Sequence, residues 1–125
     1  AALHVMEDAS ASVRGPLETC PGCRITFAIP AAIAAARAGE LELADQHEAQ
    51  CAYLANVVMR LPAWHAAHDE VRGHIAAARS PRADTAATLF AAAARRFGQA
   101  GQPLDAQRCE RLAGVAAQGK GRGRL

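Results

Sequence analysis

Aromatic residues are scarce: Phe, Trp and Tyr together make up 4% of the 125 residues. A β-sandwich or barrel fills its interior with β-branched and aromatic side chains, so the shortage argues against both. Long apolar runs are missing as well. No stretch approaches the roughly 18 uncharged apolar residues of a membrane span, and no basic-then-apolar leader is visible, so the expectation is a soluble, cytoplasmic protein without a membrane partner. Catalytic signatures are absent too, with no GxxxxGK[ST] phosphate loop and no GxSxG elbow. The serines, Ser10, Ser12 and Ser80, fall in terminal or linker positions. An excess of one charge is also lacking. The formal charge is +2, and without Lys120, Arg122 and Arg124 of the glycine-rich end the remainder carries about −1. A broad basic face for phosphates is therefore not expected, and neither is a nucleic-acid partner through this domain.

Alanine is what the chain has in quantity, about a quarter of all residues. Alanine has the highest helix propensity and lets helices approach closely, so the composition points to an all-α fold. The length suits one domain. Gly and Pro divide the chain into helices at about 1–13, then from the region of Pro30 to Ala38, then 41–61, 63–79, 83–99 and from Pro103 to about Gln118. Residues 15–24 read as a loop, and Pro30 suits the first turn of the second helix. The chain thus divides into three parts: a helix and loop at 1–19, a helical domain at 20–117, and a flexible basic tail at 118–125.

Helical spacing then assigns the buried faces. In 41–61 the stripe is Leu43, Ala44, His47, Cys51, Leu54, Ala55, Val58 and Leu61. In 63–79 it is Trp64, His68, Val71, Ile75 and Ala78, and in 83–99 it is Ala86, Leu89, Phe90, Ala93 and Phe97. Ile33, Leu54, Val58, Trp64, Val71, Ile75, Leu89, Phe90, Phe97 and Leu112 form the expected core. The pattern repeats internally: Ala36-Arg37 followed by Ala44 recurs as Ala78-Arg79 followed by Ala86, and Ala38-Gly39 recurs as Ala100-Gly101.

The phrases at 36–44 (ARAGELELA), 71–78 (VRGHIAAA) and 90–109 (FAAAARRFGQAGQPLDAQRC) resemble degenerate tetratricopeptide repeats. More narrowly, they are similar to the helical-repeat arms of large actinobacterial LuxR-type transcriptional regulators, over roughly residues 20–115. The resemblance implies antiparallel helix pairs stacked as a right-handed solenoid or small bundle. It also implies a non-enzymatic module, a fragment or stand-alone arm, that binds a protein segment or an adjacent domain. The nucleotide-binding and DNA-binding parts of those regulators have no counterpart here.

Cys20-x2-Cys23 is the sharpest local feature. Pro-Gly between two cysteines can hold two thiolates on one turn for a metal, and a redox dithiol uses the same spacing. Reduced structural cysteines and an adventitious disulfide stay open beside these. His47 and Cys51 share one helix face at i, i+4 and point inward. Together the four residues Cys20, Cys23, His47 and Cys51 make a candidate structural zinc site with one nitrogen and three sulfur ligands. The set closes only if the second helix starts near Pro30 and the knuckle folds back. Buried thiols, with His47 bonded to a backbone carbonyl, are the competing arrangement.

Other polar residues read as scaffold. His65, Asp69 and Arg72 fall on one polar face, and His68 on the apolar stripe suits a packed histidine with one backbone or carboxylate partner. The acidic pairs Asp45/Glu48 and Asp69/Glu70 read as solvated, and Cys109 as a small core residue. Two alternatives to the interaction module remain: a small CxxC thiol-redox protein, and a helical bundle holding a small ligand.

Overall fold

The computed structural model describes residues 1–12, 20–81 and 84–122. They form six helices: α1 (Ala2–Ser12), α2 (Pro21–Arg37), α3 (Leu41–Tyr53), α4 (Pro62–Arg79), α5 (Thr85–Gln99) and α6 (Pro103–Arg122). A π-helical turn, Leu54–Met59, extends α3. No strand occurs among the described residues. No described helix is long and apolar enough to cross a membrane.

Two turns repeat one chemistry. α2 ends at Gly39, φ +79°, and α5 at Gly101, φ +77°. In the first, Gly39 N donates to Ala36 O at 3.1 Å and Glu40 N to Ala35 O at 2.9 Å. In the second, Gly101 N donates to Gly98 O at 3.1 Å and Gln102 N to Phe97 O at 2.9 Å. Both are Schellman closures, in which a residue without Cβ adopts the left-handed conformation and the last carbonyls find donors. These are the two Ala-Gly repeats seen in the sequence.

Several expected boundaries move. α2 begins at Pro21, not near Pro30, so the CxxC segment opens a helix instead of forming a loop. Pro21 stands within the first turn, where the missing N–H costs nothing. Pro30 lies inside α2 on its exposed side, where its ring meets solvent and the helix continues. The π-helical turn ends at Arg60, which is left-handed at φ +51° and donates its N–H to Ala55 O at 3.1 Å. This i→i−5 closure widens the turn and rotates the residues at its end away from the core. Val58 and Leu61, expected in the core, are consequently 39% and 52% exposed. α6 continues through Arg122, so residues 118–122 of the expected flexible tail belong to a helix, while 123–125 lie outside the described residues. Residues 13–19 of the expected first loop likewise lie outside them.

Packing proceeds along the chain. α2 packs on α3 and α4, α3 also on α4, α4 on α5, and α5 on α6, while α1 lies against α2. Small side chains make this close: Ala28, Ala32, Ala35, Ala36 and Ala44 are buried with Cys51, Val71 and Ile75. A second cluster joins Ala66, Ala67, Ala93, Ala94 and Phe97 to Ala106 and Cys109 of α6. Ile25, Leu54 and Ala55 form a third, and half-buried Ile29 and Trp64 touch both it and the second. Of the expected core, Leu54, Val71, Ile75, Phe90 and Phe97 are buried, whereas Ile33, Trp64, Leu89 and Leu112 are half-buried.

Candidate functional site

The four residues of the expected zinc site separate into two pairs. Cys20 and Cys23 are exposed at the start of α2, with Cys23 Sγ 2.8 Å from Cys20 Sγ. Cys51 is fully buried among the alanines of the first cluster. Burial of its thiol, aided by the Glu48 charge, pushes its pKa up to about 12. His47 is half-buried and stands edge-on to Phe27 at 5.9 Å, and burial lowers its pKa. Among the described residues no group of three or more His, Cys, Asp or Glu side chains is disposed to hold a metal ion. The reason is the early start of α2: the knuckle is wound into the helix and does not fold back toward α3.

The remaining histidines have ordinary partners. His68 donates from Nε2 to Glu48 Oε1 at 2.7 Å, the carboxylate partner expected for a packed histidine. His65 pairs through Nδ1 with Asn56 Oδ1 at 2.9 Å. Asp45 is bound by Arg79 from α4.

The acidic pair on α4 departs from expectation, because Asp69 and Glu70 are not solvated: they are 6% and 4% exposed. α4 is packed by α2, α3 and α5, and Asp69 and Glu70 lie on the enclosed part of its surface. Three arginines compensate. Arg108 of α6 donates from Nε to Glu70 Oε1 at 2.8 Å and from Nη2 to Oε2 at 2.7 Å, a bidentate pair. Its Nη1 donates to Asp105, one turn earlier on α6, and its guanidinium carbon lies 5.8 Å from the Phe97 ring centroid. Asp69 Oδ2 lies 2.8 Å from Arg96 Nη1, and Oδ1 lies 3.7 Å from Arg72 Nη1. Oδ2 accepts no hydrogen bond among the described residues, so its contact with Arg96 is ionic. A buried carboxylate without a cation would neutralise or unfold its surroundings, and here each one has a guanidinium.

The Glu70–Arg108 pair borders an open cleft of about 950 Å³ between α1, α2, α4 and α6. Its walls include Leu3, Ile29, Ile33 and Leu112, and its polar groups are Glu70, Arg108, His74 and Arg37. His74 is half-buried, edge-on to Phe90 with centroids 5.0 Å apart, and its pKa is lowered, chiefly by burial. It is therefore neutral at pH 7 and offers one donor and one acceptor. Arg108 is already neutralised by Glu70 and Asp105, while exposed Arg37 makes no ion pair among the described residues. A second depression, about 390 Å³, shares Ile29, Glu70 and Arg108 with the first and continues toward Leu61, Trp64 and Phe97. An apolar groove with a few convergent polar groups is the form taken by binding sites.

Sequence reasoning misses Glu70 and Arg108 because a helix wheel shows one helix at a time. The available signal is the density of small residues around α4, Ala66, Ala67 and Gly73 among them, which marks a helix enclosed on several sides. Family models, curated proteins and solved structures were all compared with this chain, and none matches.

Proposed function

We propose that the chain is a tetratricopeptide-like module whose cleft, between α1, α2, α4 and α6, holds a short protein segment in a non-enzymatic role. One observation carries this reading: beside the start of α1, the cleft is walled by α2, α4 and α6, alternate members of the helix succession. Stacked helix pairs produce such a concave surface when the first helix of every pair faces the same side. In that arrangement α2–α3 and α4–α5 are consecutive pairs and α6 opens a third. The packing of α2 on α4, and the reach of Arg108 to Glu70, support the assignment.

The lining indicates the occupant's chemistry. Ile29, Ile33 and Leu112 accept apolar side chains, Arg37 is the cation left for a carboxylate, and neutral His74 provides one hydrogen bond. The segment is thus apolar with an acidic group, from an adjacent domain or a separate protein. A LuxR-type regulator arm is the setting that the sequence resemblance suggests.

Selection from a random peptide-display library on the full chain tests the reading. The expected result is a shared motif of apolar residues with one Asp or Glu, whose binding is lost in Ile33→Asp and weakened several-fold in Arg37→Glu. A motif that binds equally well after both substitutions would refute it, as would enrichment without any motif. Circular dichroism of both variants separates loss of binding from loss of fold.

A further inference from the structure

The two exposed cysteines at the start of α2 play no part in the cleft, and their arrangement has a chemistry of its own. Cys20 is the N-cap of a 17-residue helix. Its sulfur stands where a Ser or Asp oxygen usually does, accepting the Cys23 backbone N–H at 3.3 Å. The Cys23 thiol donates to the same sulfur at 2.8 Å. The two cysteines are thus unequal: one sulfur collects donors at the positive end of a helix, and the other supplies a proton to it. Among the described residues, a methyl group added at Gly22 would meet nothing nearer than the Cys20 sulfur at 4.0 Å.

We infer that Cys20 and Cys23 form a thiol–disulfide exchange site, in which Cys20 attacks a disulfide substrate and Cys23 resolves the mixed disulfide. Cys20 loses its proton to solvent, and its thiolate attacks one sulfur of R–S–S–R′, forming Cys20–S–S–R and releasing R′–S⁻, which takes up a proton. Cys23 then loses its proton to solvent and attacks the Cys20 sulfur, closing the Cys20–Cys23 disulfide and releasing R–S⁻. The chain gives up two electrons and two protons, and the substrate gains them as two thiols; the reverse direction oxidises a dithiol. The placement of the sulfurs meets both steps, since the attacking sulfur faces solvent and the resolving sulfur is already beside the atom it must reach. Charge matches the same roles. The Cys20 pKa is lowered, mainly by the hydrogen bond from Cys23, and that of Cys23 is raised by the same bond. Metal binding is the rival chemistry, but two thiols are an incomplete donor set and no third ligand is disposed beside them among the described residues.

Oxidised glutathione is the probe, with the full chain as the protein and peptide-mapping mass spectrometry after acid quench and alkylation as the readout. The expected result is a Cys20–Cys23 disulfide in the native chain. In Cys23→Ser a mixed disulfide with glutathione accumulates on Cys20, and in Cys20→Ser reaction at Cys23 is slower by several-fold. The inference is overturned if Cys23→Ser traps no adduct, or if both thiols react no faster than they do in the unfolded chain. It is equally overturned if the purified chain carries zinc that shields both thiols from alkylation. Both cysteines are exposed, so neither substitution threatens the fold, and circular dichroism confirms it.

Discussion

Gly73 occupies a place on α4 where no side chain fits: a Cβ there would lie 2.7 Å from two carbons of the Phe90 ring. Gly73→Ala therefore sets a helix-propensity gain of about 1 kcal/mol against an overpacking cost of about 1–3 kcal/mol. Phe90 is itself buried and cannot yield. Net destabilisation of about 1 kcal/mol is expected, read as a lower urea midpoint. Arg108→Ala strands the Glu70 carboxylate. The loss should be about 2–3 kcal/mol, below the roughly 3–5 of a fully enclosed pair, because Arg108 is 43% exposed and water can enter. Adding Glu70→Leu to Arg108→Ala should recover most of it. Failure to recover would show that Glu70 is not held by Arg108 alone. The histidines set a pH dependence. His47 and His74 both have pKa values lowered from the ordinary 6.5, chiefly by burial. Below pH 6.5 the unfolded chain binds protons that the folded chain refuses, so stability is complete above that value and falls as pH drops toward the folded pKa values. Denaturation midpoints at pH 7.5 and 5.0 should show the decline, and His74→Gln should reduce it.

Among the elements, the features legible in the sequence are those fixed by local chemistry. Gly39 and Gly101 mark helix ends because only a left-handed residue closes those turns, and the sequence around both is alike. Spacing alone assigns Ala44, Leu54, Val71, Phe90 and Phe97 to the interior, and they lie there. Non-local chemistry is not legible. Nothing near Glu70 indicates its partner, which is 38 residues away. Pro30 reads as a start signal, but Pro21, beside Cys20, is the proline that fits the first turn of α2. The π-helical turn defeats any fixed period, so Val58 and Leu61 come out on the surface beside Tyr53 and Val57. The end of α6 holds a further expectation. Its last residues are glycine-rich and Gly119 is exposed, so deletion of residues 119–125 should change stability by no more than about 0.5 kcal/mol. Thermal denaturation of the truncated chain checks this, and a larger loss would mean that these residues dock, for instance beside Pro81, whose carbonyl oxygen would lie 3.4 Å from a Cβ added at Gly119.

At the scale of the whole molecule α4 is the centre, touching α2, α3 and α5 directly and α6 through Glu70 and the alanine cluster. α6 is held differently. It rests mainly on α5, and Arg108 ties it across to α4. A helix packed mainly on one neighbour is the kind of segment that opens before the enclosed ones do. α6 is also a wall of the cleft. Any occupant that touches Leu112 and Arg108 binds only while that wall is in place, so occupancy and the opening of α6 share one equilibrium. The amides of α6 should accordingly exchange hydrogen more slowly once the cleft is filled, by a factor that grows with occupant concentration. If the cleft holds the proposed segment, the Arg108 fork is a latch whose strength sets how much of that segment's affinity is spent on keeping the groove assembled.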